Sequence, residues 1–147
     1  MQAGEILRGY DVRSKISKYG SEIEGAAGDH GVDANLIRAI IYEEQTHLVP
    51  LVESRAAERL GVGSTVGLGQ VTVGFYGYSR SELLDPATNI RAMGIHLSTM
   101  GHFPPIDPAA PISSAGTRYN CMSCTSISPY GRRVEFYYGQ FSRGIWP

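Results

Sequence analysis

Between Asp33 and Pro50 the chain carries a stretch that admits one secondary structure and leaves one polar residue out of place. Leu36, Ile37, Ile40 and Ile41 recur at the three- and four-residue steps of a helix face. Asp33 stands where a helix N-cap belongs and Pro50 cannot continue a helix, so a helix is predicted from Ala34 to about Leu48. At about 100° per residue, Glu44 falls within about 10° of the centre of that apolar face, and Glu43 falls about 90° away, at its edge. A carboxylate that faces a core is costly when ionised, so burial raises its pKa and favours the protonated form near neutral pH. A general acid needs that property. The competing reading is a helix end that has already left the core. Glu44 is then partly exposed or bonded to a turn, and Glu43 is a solvated edge charge.

The rest of the chain alternates helical patterns with turns. Residues 1–12 read as a loosely ordered lead-in, and residues 13–147 as a single domain. Ile16, Tyr19, Ile23, Ala26 and Ala27 predict a helix over Val12 to Ala27, ended by Gly28 to Gly31. Leu51 to Leu60 reads as a short helix closed by Gly61. Residues 61–78 hold six glycines among Val, Thr, Phe and Tyr, which predicts a turn-rich segment or a small β-hairpin. Asp85-Pro86 opens a helix striped by Ile90, Met93, Leu97 and Met100 and ended by Gly101. Four prolines make residues 102–111 a loop, and a short helix covers Ile112 to Tyr119. Ser128-Pro129 caps a last helix, striped by Tyr130, Val134, Tyr137, Tyr138 and Phe141. Five or six helices and one small glycine-rich β element make the fold class α+β, mostly α-helical.

Charge and composition exclude several classes. Thirteen basic residues against fourteen acidic ones give a net charge of −1, which lacks the basic stripe expected of a nucleic-acid binder or a polybasic membrane surface. No apolar run approaches the ~20 residues of a membrane span. The four histidines are scattered, and Cys121 and Cys124 lack the second ligand pair of a structural zinc site, so no metal or other cofactor is expected. The two cysteines read either as free thiols or as a local disulfide.

Several segments occur in a familiar order. ANLIRAIIYEEQTH, GLGQV at Gly67 to Val71, LLDPATNIRAMGIHL at Leu83 to Leu97, Tyr119-Asn120 and SPYGRRVEFYY resemble, in sequence, the motifs of the soluble lytic transglycosylase and goose-type lysozyme superfamily. The correspondence covers about residues 15 to 141. It implies a lysozyme-like catalytic domain that cuts the β-1,4 bond between N-acetylmuramic acid and N-acetylglucosamine in peptidoglycan, with Glu44 as acid and base. It also implies that Gln70, Tyr119, Asn120, Gly67 and Leu68 line the substrate groove. Tyr119 is then a partner of Glu44 or of a substrate acetamido group, against the plainer reading of a core aromatic with a satisfied hydroxyl. Tyr76 and Tyr78 are candidates for stacking on sugar rings or for packing.

The departures from the pattern matter. Gln45 stands where the family has Ser. Gly69 stands where it has Met, which is expected to leave the groove more open. Leu51 to Leu60 looks like an insertion, and Cys121 follows the Tyr-Asn pair where a small residue is usual. A transglycosylase needs no second carboxylate, because the substrate's own acetamido group assists. A hydrolytic lysozyme usually does need one, and the candidates are Glu43, Glu53 and Glu58, with Glu53 the first choice. A non-catalytic peptidoglycan-binding module on the same fold is the rival of another class. The substrate lies outside the bacterial cytoplasm, yet no signal-peptide pattern is visible. That combination suits an excised domain, a phage-type enzyme, or an antibacterial effector exported by a specialised route, whose implied partner is a cognate immunity or inhibitor protein.

Overall fold

Asp33 caps the central helix as its sequence position predicts: its carboxylate accepts the Asn35 N–H at 2.8 Å and the helix runs Ala34–Thr46. The computed structural model describes residues 3–47 and 65–147. The elements are α1 (Ala3–Lys18), α2 (Gly20–His30), α3 (Ala34–Thr46), β1 (Thr65–Val66), β2 (Val71–Thr72), a 3₁₀ turn at Phe75–Gly77, α4 (Arg80–Leu83), α5 (Pro86–Met100), α6 (Pro111–Asn120) and α7 (Pro129–Ser142). The protein is thus mostly helical, with one small antiparallel hairpin.

Three elements differ from expectation. The first helix starts at Ala3, because Ala, Glu, Leu and Arg in the opening residues are good helix formers even without a stripe of their own. It breaks at Tyr19, so Val12 and Ile16 belong to α1 and Ile23, Ala26 and Ala27 to α2. Gly28 lies inside α2, and Gly31 ends it at a left-handed φ of 64°. The short α4 carries the Ser-x-x-Glu signature of a capping box: Ser79 Oγ accepts the Glu82 N–H and Glu82 returns the bond to Ser79 N–H. The predicted helix over Leu51 to Leu60 lies outside the described residues.

α3 is the hub of the core. It packs against α1, α2, α5 and α7. Its buried residues run from Leu36 through Ile37, Ala39, Ile40, Ile41 and Tyr42 to Glu43, so more than one face is covered. Ile23, Ile90, Met93, Leu83, Val66 and Val134 close around it, and each fully buried aliphatic side chain of this kind contributes about 1.5–3 kcal/mol. α6 and α7 approach closely through glycine. A Cβ on Gly116 would press on Val134, and one on Gly131 would collide with Thr117 Oγ1 and the Ser113 carbonyl. That close approach brings the start of α7 onto the end of α3, where the two adjacent glutamates sit. No helix among the described residues is long and apolar enough to cross a membrane.

Candidate active site

Glu44 lies on the last turn of α3, and its Oε1 accepts a hydrogen bond from the Tyr130 hydroxyl at 2.8 Å. Burial pushes the Glu44 carboxyl from 4.5 up to about 7; the Tyr130 bond pulls the other way and the neighbouring Glu43 charge adds to the rise. Burial also raises the Tyr130 phenol, so it stays protonated and remains the donor. Near neutral pH Glu44 is therefore divided between acid and base, which suits a group that must give a proton and take one back. The sequence pattern marks Tyr130 only as packing in the α7 stripe. Its place on the first turn after the Ser128 cap, opposite the end of α3, is what makes it a partner of Glu44.

Glu43 is not a solvated edge charge. It is 1% exposed; its Oε1 accepts from Arg133 Nε at 2.8 Å and lies 2.6 Å from Nη2 of the same guanidinium. His47 Nε2 stands 3.5 Å from the other oxygen, Oε2, which accepts no hydrogen bond from the described residues. The edge assignment assumes a helix with one buried face, whereas α7 covers α3 on the Glu43 side as well. The two glutamates thus form two rungs to α7, Glu44 to Tyr130 and Glu43 to Arg133 three residues further on.

The glycine-rich turn is tied down beside this pair. β1 and β2 pair Thr65 with Thr72 and Val66 with Val71, leaving Gly67, Leu68, Gly69 and Gln70 as the turn. Its backbone is met by side chains from three helices. Gln45, next to Glu44, donates to the carbonyls of Gly67 at 3.2 Å and Leu68 at 3.0 Å. Asn89 on α5, fully buried, donates to the Val66 and Leu83 carbonyls and accepts the Gly69 N–H at 2.9 Å. Tyr119 on α6 donates to the Gly69 carbonyl at 2.6 Å. Gly67 adopts a φ of 78°, and a Cβ there would strike the Asn89 amide. Sequence reasoning missed Asn89 as a contact. The signal was present, because it stands in register with the buried face of Ile90, Met93 and Leu97.

The predicted groove residues are gathered here, but most are committed to the fold. Gln70 has a φ of 47° and folds its amide back, donating to the Gly67 carbonyl and accepting from Thr65 Oγ1, each at 2.9 Å. Leu68 is buried. Tyr119 is buried and does not bond Glu44, because its hydroxyl closes the turn instead. Burial and the Glu44 charge keep its phenol protonated. Asn120 is exposed at the end of α6. The Gly69 position is not open. The Met93 sulfur and the Tyr119 hydroxyl occupy the space a side chain at 69 would take. Glu53 and Glu58 lie outside the described residues.

Tyr76 is held differently. Its hydroxyl lies 2.6 Å from His96 Nδ1, and His96 Nε2 lies 3.2 Å from the Tyr119 carbonyl. A carbonyl only accepts, so Nε2 carries the hydrogen, Nδ1 accepts, and Tyr76 is the donor. Burial lowers the pKa of His96, in keeping with a neutral ring. Tyr78 is partly buried against the core. Cys121 and Cys124 are joined by a disulfide directly after Tyr119-Asn120. Among the described residues no group of three or more His, Cys, Asp or Glu could hold a metal ion. An apolar cavity of about 320 Å³, lined in part by Leu36, Leu97, Met100 and Phe103, opens near the start of α3. Glu44 is not among the residues that line it.

The chain matches no protein-family model, no curated protein and no solved structure.

Proposed function

We propose that the protein cleaves peptidoglycan glycan strands at the β-1,4 bond between N-acetylmuramic acid and N-acetylglucosamine, as a lytic transglycosylase with Glu44 as its one acid and base. Protonated Glu44 gives its proton to the glycosidic oxygen as the C1–O bond breaks. The substrate's acetamido group supports the cationic C1. The muramic O6 then attacks C1, and its proton returns to Glu44, leaving a 1,6-anhydro end. Tyr130 steadies the carboxylate in the interval through the 2.8 Å bond.

The observation that carries the reading is the near-neutral Glu44 carboxyl, half-buried and bonded to the Tyr130 phenol. The substrate class rests on the motif resemblance. The commitment of the adjacent carboxylate, Glu43, to Arg133 favours the one-carboxylate route over a hydrolytic one. The Cys121–Cys124 disulfide suits work in an oxidising compartment outside the cytoplasm.

Mass spectrometry of purified peptidoglycan digested by the native protein and by Glu44→Gln tests this. Anhydro-muropeptides are expected from the native protein, with a loss of at least about 100-fold in the variant, the low end of general acid–base catalysis. Reducing-end products lost in the variant make it a muramidase and direct the search for a second acid to Glu53. Binding without products from either protein leaves a peptidoglycan-binding module.

A further inference from the structure

Tyr76 combines three properties that rarely coincide. Its backbone sits at φ 56°, ψ 22°, a left-handed conformation that a bulky aromatic residue seldom adopts. Its hydroxyl is fixed by the 2.6 Å bond to His96, a side chain 5% exposed. The residue as a whole is nevertheless 40% exposed. A tyrosine that served packing alone would be covered, and one that was merely a surface residue would not be anchored to a buried imidazole. The anchor is itself immobilised. The His96 ring is flanked by Phe75 at 5.6 Å and Tyr119 at 5.0 Å, and its far nitrogen is bonded to the Tyr119 backbone. The Tyr119 hydroxyl in turn bonds the Gly69 carbonyl, in the turn that Gln45 beside Glu44 also holds, so Tyr76 and the acid are linked through one buried tyrosine.

We propose that Tyr76 is a sugar-stacking residue beside the Glu44 site and that His96 is its positioning residue. The ring presents an electron-rich face to the axial C–H groups of a pyranose, and the His96 bond fixes where that face lies. Its left-handed backbone sits in a turn closed by the Gly74 N–H on the Tyr78 carbonyl, and strained residues of this kind cluster at binding sites. The ligand class is a β-1,4-linked N-acetylhexosamine chain, and the inference rests on the glycan-cleavage reading above.

The test is co-sedimentation of the catalytically silenced Glu44→Gln protein with purified peptidoglycan, alone and combined with Tyr76→Ala, Tyr76→Leu, Tyr76→Phe and His96→Leu. The dissociation constant is expected to rise at least 10-fold for Tyr76→Ala and Tyr76→Leu. For Tyr76→Phe, which keeps the ring and loses the tether, the expected rise is within about threefold. His96→Leu should match Tyr76→Phe and add nothing to it in the double variant. A packing role would instead group Leu with Phe, and that result overturns the proposal. So does unchanged binding by Tyr76→Ala in a parent that binds. A Glu44→Gln parent that fails to bind peptidoglycan overturns the glycan reading itself, and this inference with it.

Discussion

Replacing Glu44 with Gln should make the protein more stable, by an amount that depends on pH. In the unfolded chain the carboxyl titrates near 4.5, and in the fold near 7. Below pH 4.5 it is protonated in both states and the fold carries no penalty. As pH rises toward 7 the unfolded state ionises freely while the folded state resists. Above 7 the fold holds a carboxylate it disfavours. Each pH unit between the two values is worth about 1.4 kcal/mol, so the full penalty is about 3 kcal/mol. The substituted amide retains an acceptor oxygen for the Tyr130 hydroxyl and never ionises. Glu44→Gln should therefore be near neutral at pH 4.5 and stabilising by about 3 kcal/mol at pH 8, with the gain growing between them. For a chain of this length that corresponds to a rise in Tm of about 6–12 °C at pH 8. Urea denaturation of both proteins at pH 4.5, 6 and 8 measures it. A difference that does not change with pH, or a variant less stable at pH 8, refutes the assignment of a raised pKa to this carboxyl.

Three other outcomes follow from the same contacts. Tyr130→Phe removes the bond that favours the carboxylate, so the Glu44 pKa should climb further, by up to about one pH unit for a bond worth about 1.4 kcal/mol more to the ionised form; carboxyl NMR titration reads it, and a fall would contradict the geometry. Arg133→Met leaves the buried Glu43 charge uncompensated and should cost about 3–5 kcal/mol in urea denaturation, most of it recovered when Glu43→Leu is added. Gly69→Met should destabilise by about 1–3 kcal/mol because Met93 and Tyr119 already fill the space, and the added Met93→Ala should restore part of the loss.

The register of α3 is readable because Leu36, Ile37, Ile40 and Ile41 share a helix face, and Glu44 follows them by arithmetic. The same arithmetic misplaces Glu43. A stripe identifies the most apolar face but does not say how many faces neighbours cover, and α7 covers the one that carries Glu43. Tyr130 and Tyr119 illustrate a second gap. Both are tyrosines in apolar patterns, and only the docking of helices distant in sequence decides which phenol meets a carboxylate and which meets the Gly69 carbonyl. The caps at Asp33, Asp85 and Ser128 are legible because they are local, satisfied within three residues. The contacts of Gln45 and Asn89 to the turn span 20 residues or more; the helix register marks Asn89 as buried, but no local pattern names the turn as its partner.

The turn at Gly67 to Gln70 has a consequence for when the site comes into being. The strands that flank it are two residues each, too short to hold a hairpin by themselves. The turn's shape therefore waits for Gln45, Asn89 and Tyr119 to arrive from three separate helices. Folding that begins with local helical contacts would complete this corner last. The Gly69 amide, sealed by Asn89, should exchange with deuterium only when the whole domain opens. A chain released half-folded would then carry its acid on a finished helix with no finished turn beside it, and would gain the complete site only in its final step to the native state.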